Sequence, residues 1–79
     1  MACHRLDAKG LQCPLPVLRA RKVLKGLALG DVLTIEATDP GALQDFPAFC
    51  AAAGYRLLSA GEAGEGGVFR FTIEKSATA

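Results

Sequence analysis

Cys13 is the residue whose side chain and setting are best suited to chemistry. It follows Gly10-Leu11-Gln12, precedes Pro14-Leu15-Pro16, and stands directly before an apolar pattern typical of a helix. A thiolate at a helix start faces free backbone N–H groups and the positive end of the helix dipole, and both favour the ionised form. We therefore expect Cys13 to be a nucleophile in the cap position rather than a small apolar residue that fills the core.

Two prolines limit this effect. Pro14 and Pro16 have no N–H, so the amides of Leu15 and Val17 are the donors that remain in the first turn. We expect a moderately lowered pKa for the Cys13 thiol. Such a value suits thiol exchange, because an attacking thiol works best when its pKa is near the ambient pH.

The elements that must hold Cys13 follow from the apolar pattern. We expect strands over 5–8, 32–37, 55–60 and 68–74, a helix from Pro14 to about Leu27, and a helix capped by Asp45 that runs to about Ala53. Lys9-Gly10 is a turn, in which Gly10 supplies a positive φ. Residues 38–41 are a turn or the start of a helical segment, 61–67 a flexible hairpin loop, and 76–79 a frayed end.

This order, β-α-β-α-β-β, predicts an α+β fold. It is a two-layer α/β sandwich, in which a four-stranded mixed sheet carries both helices on one face. Phe69, Phe71 and Ile73 alternate along the last strand, which favours the core over a base-stacking surface. We expect one domain over 1–79, ordered from about 4 to 75.

The composition argues against a general nucleic-acid-binding protein and against a membrane protein. The net charge is +1, far less basic than a general nucleic-acid binder, and no apolar run is long enough to span a membrane. The N-terminus lacks an apolar signal core, so we expect a cytoplasmic protein without membrane association.

The three cysteines are expected to be reduced thiols. Cys3, Cys13 and Cys50 are an odd number and contain no CxxC pair, which argues against a disulfide framework and against a metal site. Cys50 lies in an apolar segment and is expected in the core.

The helix after Cys13 offers two kinds of contact surface. Leu15 and Leu18 fall off its core face, where they either dock a partner or are scattered surface hydrophobes. Four basic residues share the outer face and either steer an acidic partner or a tRNA backbone, or are simply solvated. These are Arg19, Arg21, Lys22 and Lys25. Because His4 is the one histidine and no base stands beside Cys13 in sequence, we expect a carrier rather than a turnover enzyme.

Residues 6–18 resemble the signature of the TusA/SirA-like sulfur carriers, in which Cys-Pro-x-Pro follows a Gly-Leu. The segments 38–42 and 45–50 and the pair Gly54-Tyr55 are also similar to that family, so the resemblance covers about residues 5–75. It implies the same β-α-β-α-β-β sandwich. It also implies that Cys13 carries sulfur covalently as a persulfide, with no other cofactor.

The resemblance further implies the partners. A cysteine desulfurase or another sulfur donor loads Cys13, and a downstream acceptor protein receives the sulfur for tRNA thiolation, cofactor biosynthesis or sulfur oxidation. tRNA would then be an indirect partner. No feature of the sequence requires an oligomer, so we expect a monomer. Members tied to tRNA thiolation often have an acidic residue at position x, which is Leu15 here, so the pathway stays open. The alternative is a regulatory or nucleic-acid-binding module of the same fold in which Cys13 is dispensable.

Overall fold

Four strands and two helices follow one another in the predicted order. The structure, a computed structural model, describes residues 2–64 and 66–76. Its elements are β1 (Cys3–Ala8), α1 (Leu15–Lys25), β2 (Val32–Ala37), α2 (Ala42–Ala53), β3 (Arg56–Glu62) and β4 (Phe69–Glu74). The sheet order is β1-β2-β4-β3, with β1 and β2 parallel and the other neighbours antiparallel. The predicted α+β fold with a mixed four-stranded sheet is confirmed.

Several element boundaries differ from the prediction. β1 begins two residues early because Cys3 still pairs with Val32, and β3 extends to Glu62 because that residue pairs with Phe69. The predicted hairpin loop therefore loses its first two residues to β3, and Glu65 lies outside the described residues. β3 and β4 each begin one residue later than expected, and α1 is shorter at both ends than the predicted 14–27.

The start of α2 differs most from the prediction. α2 begins at Ala42, whose N–H donates to the carbonyl of Asp39 at 3.0 Å, while the Asp39 carboxylate accepts the Gly41 N–H at 2.9 Å. Residues 38–41 are therefore the turn that leads into α2, with Gly41 at its N-cap. The predicted cap at Asp45 is wrong, because that residue lies within the first turn. The helix ends at Ala53, as expected, and Gly54 follows it as the C-cap with a φ of 80°.

A single apolar core lies between the helices and one face of the sheet. Its members come from every element except β3 and are buried. They are Ala8, Ala20, Leu24, Leu33, Ile35, Ala37, Ala42, Phe46, Cys50, Phe69, Phe71 and Ile73. Phe46 of α2 stacks on Phe71 of β4 with ring centroids 4.5 Å apart. The aromatic residues of β4 are thus core residues, as the alternation predicted.

The other face of the sheet is polar. Glu36 of β2 lies within ion-pair distance of Arg5, Lys9 and Arg70, and the shortest contact is 2.8 Å from the Arg70 guanidinium. Hydrogen bonding to that guanidinium lowers the pKa of the Glu36 carboxyl. This polar face explains why β2 alternates between buried and half-buried residues.

Lys75 and Ser76, at the end of the described part, form hydrogen bonds to other elements. Ser76 Oγ donates to the carbonyl of Gly54 at 2.9 Å, and residues 77–79, the rest of the segment expected to fray, lie outside the described part. Lys75 is buried, and its Nζ donates to the carbonyls of Lys25 and Leu27 at 3.2 and 2.7 Å. Within residues 2–64 and 66–76, neither helix is long and apolar enough to cross a membrane.

Lys75 stabilises the C-terminal end of α1, which leads to a prediction. Lys75→Met removes both hydrogen bonds and should lower the free energy of unfolding by about 2 kcal/mol, because two partly buried carbonyls lose a charged donor. Urea denaturation measures the change. Lys22→Met, on the exposed face of α1, should change the same quantity by less than about 0.5 kcal/mol. Equal effects of the two variants would contradict the role assigned to Lys75.

Candidate functional site

Cys13 lies at the edge of the sheet where β1 and β2 both end. The two strands are parallel, and Ala8 at the end of β1 pairs with Ala37 at the end of β2. The loops that follow therefore leave the sheet side by side, one carrying Cys13 and the other Asp39. Since each loop leads into a helix, the first turns of α1 and α2 meet at the same edge.

Two hydrogen bonds tie the loops together. The Gly10 N–H donates to Thr38 Oγ1 at 3.0 Å, and the Cys13 N–H donates to Asp39 Oδ2 at 2.6 Å. Gly10 has a φ of 83°, so the positive φ expected there is present. The position of Cys13 is thus set by a side chain 26 residues further along the chain.

Pro14, rather than Cys13, occupies the cap position of α1. The Leu15 N–H donates to the carbonyl of Gln12 at 2.9 Å, which closes a turn across the cysteine and places Cys13 one residue before the cap. One of the two amides expected to face the thiol is therefore already engaged. The peptide bond between Cys13 and Pro14 is cis. Pro16 is fully buried and fixes the first turn of α1 against the core.

The polar group in contact with the thiol is a carboxylate. Cys13 Sγ donates a hydrogen bond to Asp45 Oδ2, which reaches it from the first turn of α2. The sequence reasoning missed this contact, since Asp45 was assigned to a cap and no base was expected beside Cys13. The parallel pairing of β1 and β2 was the available signal, because it brings the two helix starts to one edge.

The site is therefore acidic rather than electropositive. Asp39 and Asp45 are half-buried beside Cys13, and none of the ion pairs within residues 2–64 and 66–76 involves either carboxylate. A negative charge beside a thiol disfavours the thiolate. The expected effect of backbone amides is thus opposed by charges that the fold brings in from α2 and its preceding loop.

The other two cysteines have different surroundings. Cys50 is buried among apolar side chains, as expected, and burial raises the pKa of its thiol to about 11. Cys3 is exposed on β1. Because neither of them lines the depression at the sheet edge that holds Cys13, the three thiols are chemically distinct.

Gly41 approaches Cys13 closely. A Cβ atom placed on Gly41 would lie 3.3 Å from Cys13 Cβ and 3.5 Å from Cys13 Sγ. Cys13 is half-buried and also lines an open depression formed by both loops. The lining residues are Gly10, Leu11, Gln12, Cys13, Thr38, Asp39 and Pro40.

The predicted docking residues are exposed. Leu15 and Leu18 retain 45% and 51% of their accessible surface. Arg19, Arg21, Lys22 and Lys25 are exposed as well, and none of them forms an ion pair within the described ranges. In the same part of the chain, no group of three or more histidine, cysteine or acidic residues could hold a metal ion.

Comparison with known proteins identifies the family of this chain. Residues 4–75 match the family described as Sulfurtransferase TusA. The chain belongs to the TusA family. The sulfur carrier protein TusA of Allochromatium vinosum is 52% identical over 73 residues, covering 92% of this chain and 93% of that protein. The sulfur carrier protein TusA of Pseudomonas entomophila is 44% identical over 72 residues, covering 91% of this chain and 88% of that protein.

A solved structure shares the TusA-family fold. The crystal structure of a SirA-like protein from Desulfitobacterium hafniense superposes with a TM-score of 0.82 at 31% sequence identity, covering 94% of this chain and 99% of that one. The resemblance to the TusA/SirA-like carriers is therefore confirmed. Family membership and the names of the relatives support a sulfur-carrier role for this chain.

The close approach of Gly41 leads to a prediction. Gly41→Ala should slow modification of Cys13 by thiol reagents, because the added methyl group crowds the sulfur; the rate constant for alkylation of Cys13 measures this. Gly26→Ala is a matched control, since its methyl group would meet only the Val23 carbonyl at an ordinary 3.6 Å. A Gly41→Ala protein that reacts as fast as the Gly26→Ala protein would show that Gly41 does not control access.

Proposed function

We propose that this protein is a sulfur carrier, in which Cys13 accepts a sulfane sulfur as a persulfide and passes it on. The observation that carries the proposal is the position of the Cys13 thiol, held by two loops at an open depression on the sheet edge. Relatives of closely similar length named as sulfur carriers support it. Because Cys13 is only half-buried and the depression is open, a partner thiol can approach this residue from solvent.

The reaction is an exchange between thiols. Cys13 Sγ attacks the outer sulfur of a donor persulfide, a new S–S bond forms at Cys13, and the S–S bond of the donor breaks. The Cys13 proton is released, and the departing donor thiolate takes up a proton to become a thiol. The Cys13 sulfur is oxidised to the persulfide level, the donor cysteine sulfur that departs is reduced to a thiol, and the transferred sulfur keeps its oxidation state. No external oxidant is therefore needed. Delivery to an acceptor thiol is the same reaction in reverse.

The partners follow from this chemistry. A cysteine desulfurase or another persulfide-bearing donor loads Cys13, and a downstream protein thiol accepts the sulfur for tRNA thiolation, cofactor biosynthesis or sulfur oxidation. The protein needs no cofactor beyond the bound sulfur. It acts in the cytoplasm as a monomer, and tRNA would be reached only through the acceptor.

The start of α1 is the proposed docking surface. Leu15 and Leu18 are exposed beside Cys13, so an apolar partner surface can contact both while it covers the sulfur. The basic residues of α1 lie beyond them and carry charges that are unpaired within the described ranges. Unpaired charges of one sign attract an acidic partner at long range.

Persulfide loading is the direct test of the carrier role. Incubation with a cysteine desulfurase and cysteine should add the mass of one sulfur atom to the protein, and Cys13→Ser should abolish the addition. Cys3→Ser, which removes an exposed thiol, should load normally. Loading that survives in Cys13→Ser, or RNA binding independent of Cys13, would favour the regulatory or nucleic-acid-binding alternative.

Charge reversal tests the basic face of α1. Arg19→Glu with Lys22→Glu should slow sulfur acceptance about tenfold at low ionic strength. The difference should shrink as added salt screens the charges. Arg5→Glu with Arg56→Glu makes the same change in net charge on the opposite face of the sheet, where both side chains are exposed. Equal transfer rates in the two double variants would show that the basic face of α1 is only solvated.

A further inference from the structure

We propose that Asp45 keeps Cys13 in its neutral thiol form in the free protein and thereby suppresses its reactivity between sulfur transfers. The inference rests on the proposed function, because it concerns the sulfur atom that carries the cargo. Its basis is the hydrogen bond from Cys13 Sγ to Asp45 Oδ2. A carboxylate accepts a hydrogen bond from a thiol, whereas it repels a thiolate.

Asp39 and Asp45 have different roles at this site. Both oxygens of Asp39 accept backbone hydrogen bonds, Oδ2 from Cys13 and Oδ1 from Gly41, so this carboxylate organises the two loops. Asp45 contacts the sulfur itself. Its position is set by α2, since its N–H donates to the carbonyl of Gly41 at 3.0 Å. Asp45 is therefore the group placed to control the charge of the thiol.

Positive charges near the site are engaged elsewhere or lie further along α1. On the β1 side, the Lys9 ammonium lies 3.6 Å from Asp7 and 3.4 Å from Glu36. The basic residues of α1 form no ion pair with Asp39 or Asp45 within the described ranges. Among the described residues, the titratable group in contact with the sulfur is thus the Asp45 carboxylate, and the Asp39 carboxylate accepts the backbone N–H of the same cysteine. Both negative charges oppose ionisation of Cys13.

This arrangement makes the Cys13 thiol react slowly while the protein is free. The thiolate is the form that attacks oxidants and alkylating agents, so a protonated Cys13 is protected while no partner is bound. The positive end of the α1 dipole and the Asp45 carboxylate act in opposite directions, and the carboxylate is the group in direct contact. Asp45 is a positioning residue under this proposal, since it acts on sulfur transfer through Cys13.

The test is the pH dependence of Cys13 alkylation. Iodoacetamide is uncharged and reports the thiolate fraction, and a Cys3→Ser background removes the exposed thiol of β1. In Asp45→Asn, the midpoint of the rate profile should move down by about one pH unit. Alkylation near neutral pH should then be about tenfold faster than in the parent protein. Peptide mass spectrometry assigns the label to Cys13 rather than Cys50.

Two further variants control for structure. Glu74→Gln removes a carboxylate opposite Val32, at the other end of β2 from Asp39, and should leave the midpoint unchanged. Asp45→Ser removes the charge with a different shape and should reproduce the downward shift if Asp45→Asn perturbs folding, as judged by circular dichroism. A midpoint that stays constant or rises in the folded Asp45 variants overturns the inference.

Persulfide loading of the unmodified protein separates this inference from the proposed function. A shifted midpoint in a protein that accepts no sulfur would leave the Asp45 effect standing and remove the carrier role. Normal loading with an unshifted midpoint would retain the carrier role and remove the Asp45 effect.

Discussion

The parallel pairing of β1 with β2 is the constraint on which the site depends. Parallel strands end at the same edge of a sheet, so the loops after them emerge side by side. In this protein one loop carries Cys13 and the other carries Asp39, and each continues into a helix whose first turn lies at that edge. Residues far apart in sequence thus surround one sulfur atom, although the domain is too small to enclose it in a deep pocket.

The two loops supply different parts of the site. The Asp39 carboxylate accepts hydrogen bonds from the backbone N–H groups of both Cys13 and Gly41. The same side chain therefore fixes the backbone at Cys13 and the turn that leads into α2. Asp45 then reaches the thiol from the first turn of that helix. A carrier of this kind needs its sulfur to be accessible to partners and yet unreactive between encounters. The open depression provides the first property, and the adjacent carboxylate accounts for the second.

Local patterns predicted most of the fold. The alternation of Phe69, Phe71 and Ile73 placed the core face of β4, and the 3.6-residue period placed α1, because these signals depend on near neighbours in sequence. The missed features required long-range information. Asp45 was assigned to a cap because Asx capping is a local rule, whereas its contact with Cys13 depends on which strands pair. For the same reason the acidic surroundings of the thiol could not be read from the residues that flank it.

The contact between Cys13 and Asp45 is tested most directly by the carboxyl carbon resonance of Asp45, followed by NMR while pH is raised through the ionisation of Cys13. If the two groups are in contact, this resonance moves with the same midpoint as the alkylation rate of Cys13, and the movement disappears in Cys13→Ser. A resonance that is constant across this pH range would show that the carboxyl and the sulfur do not touch, and Asp45 could not then control the thiol.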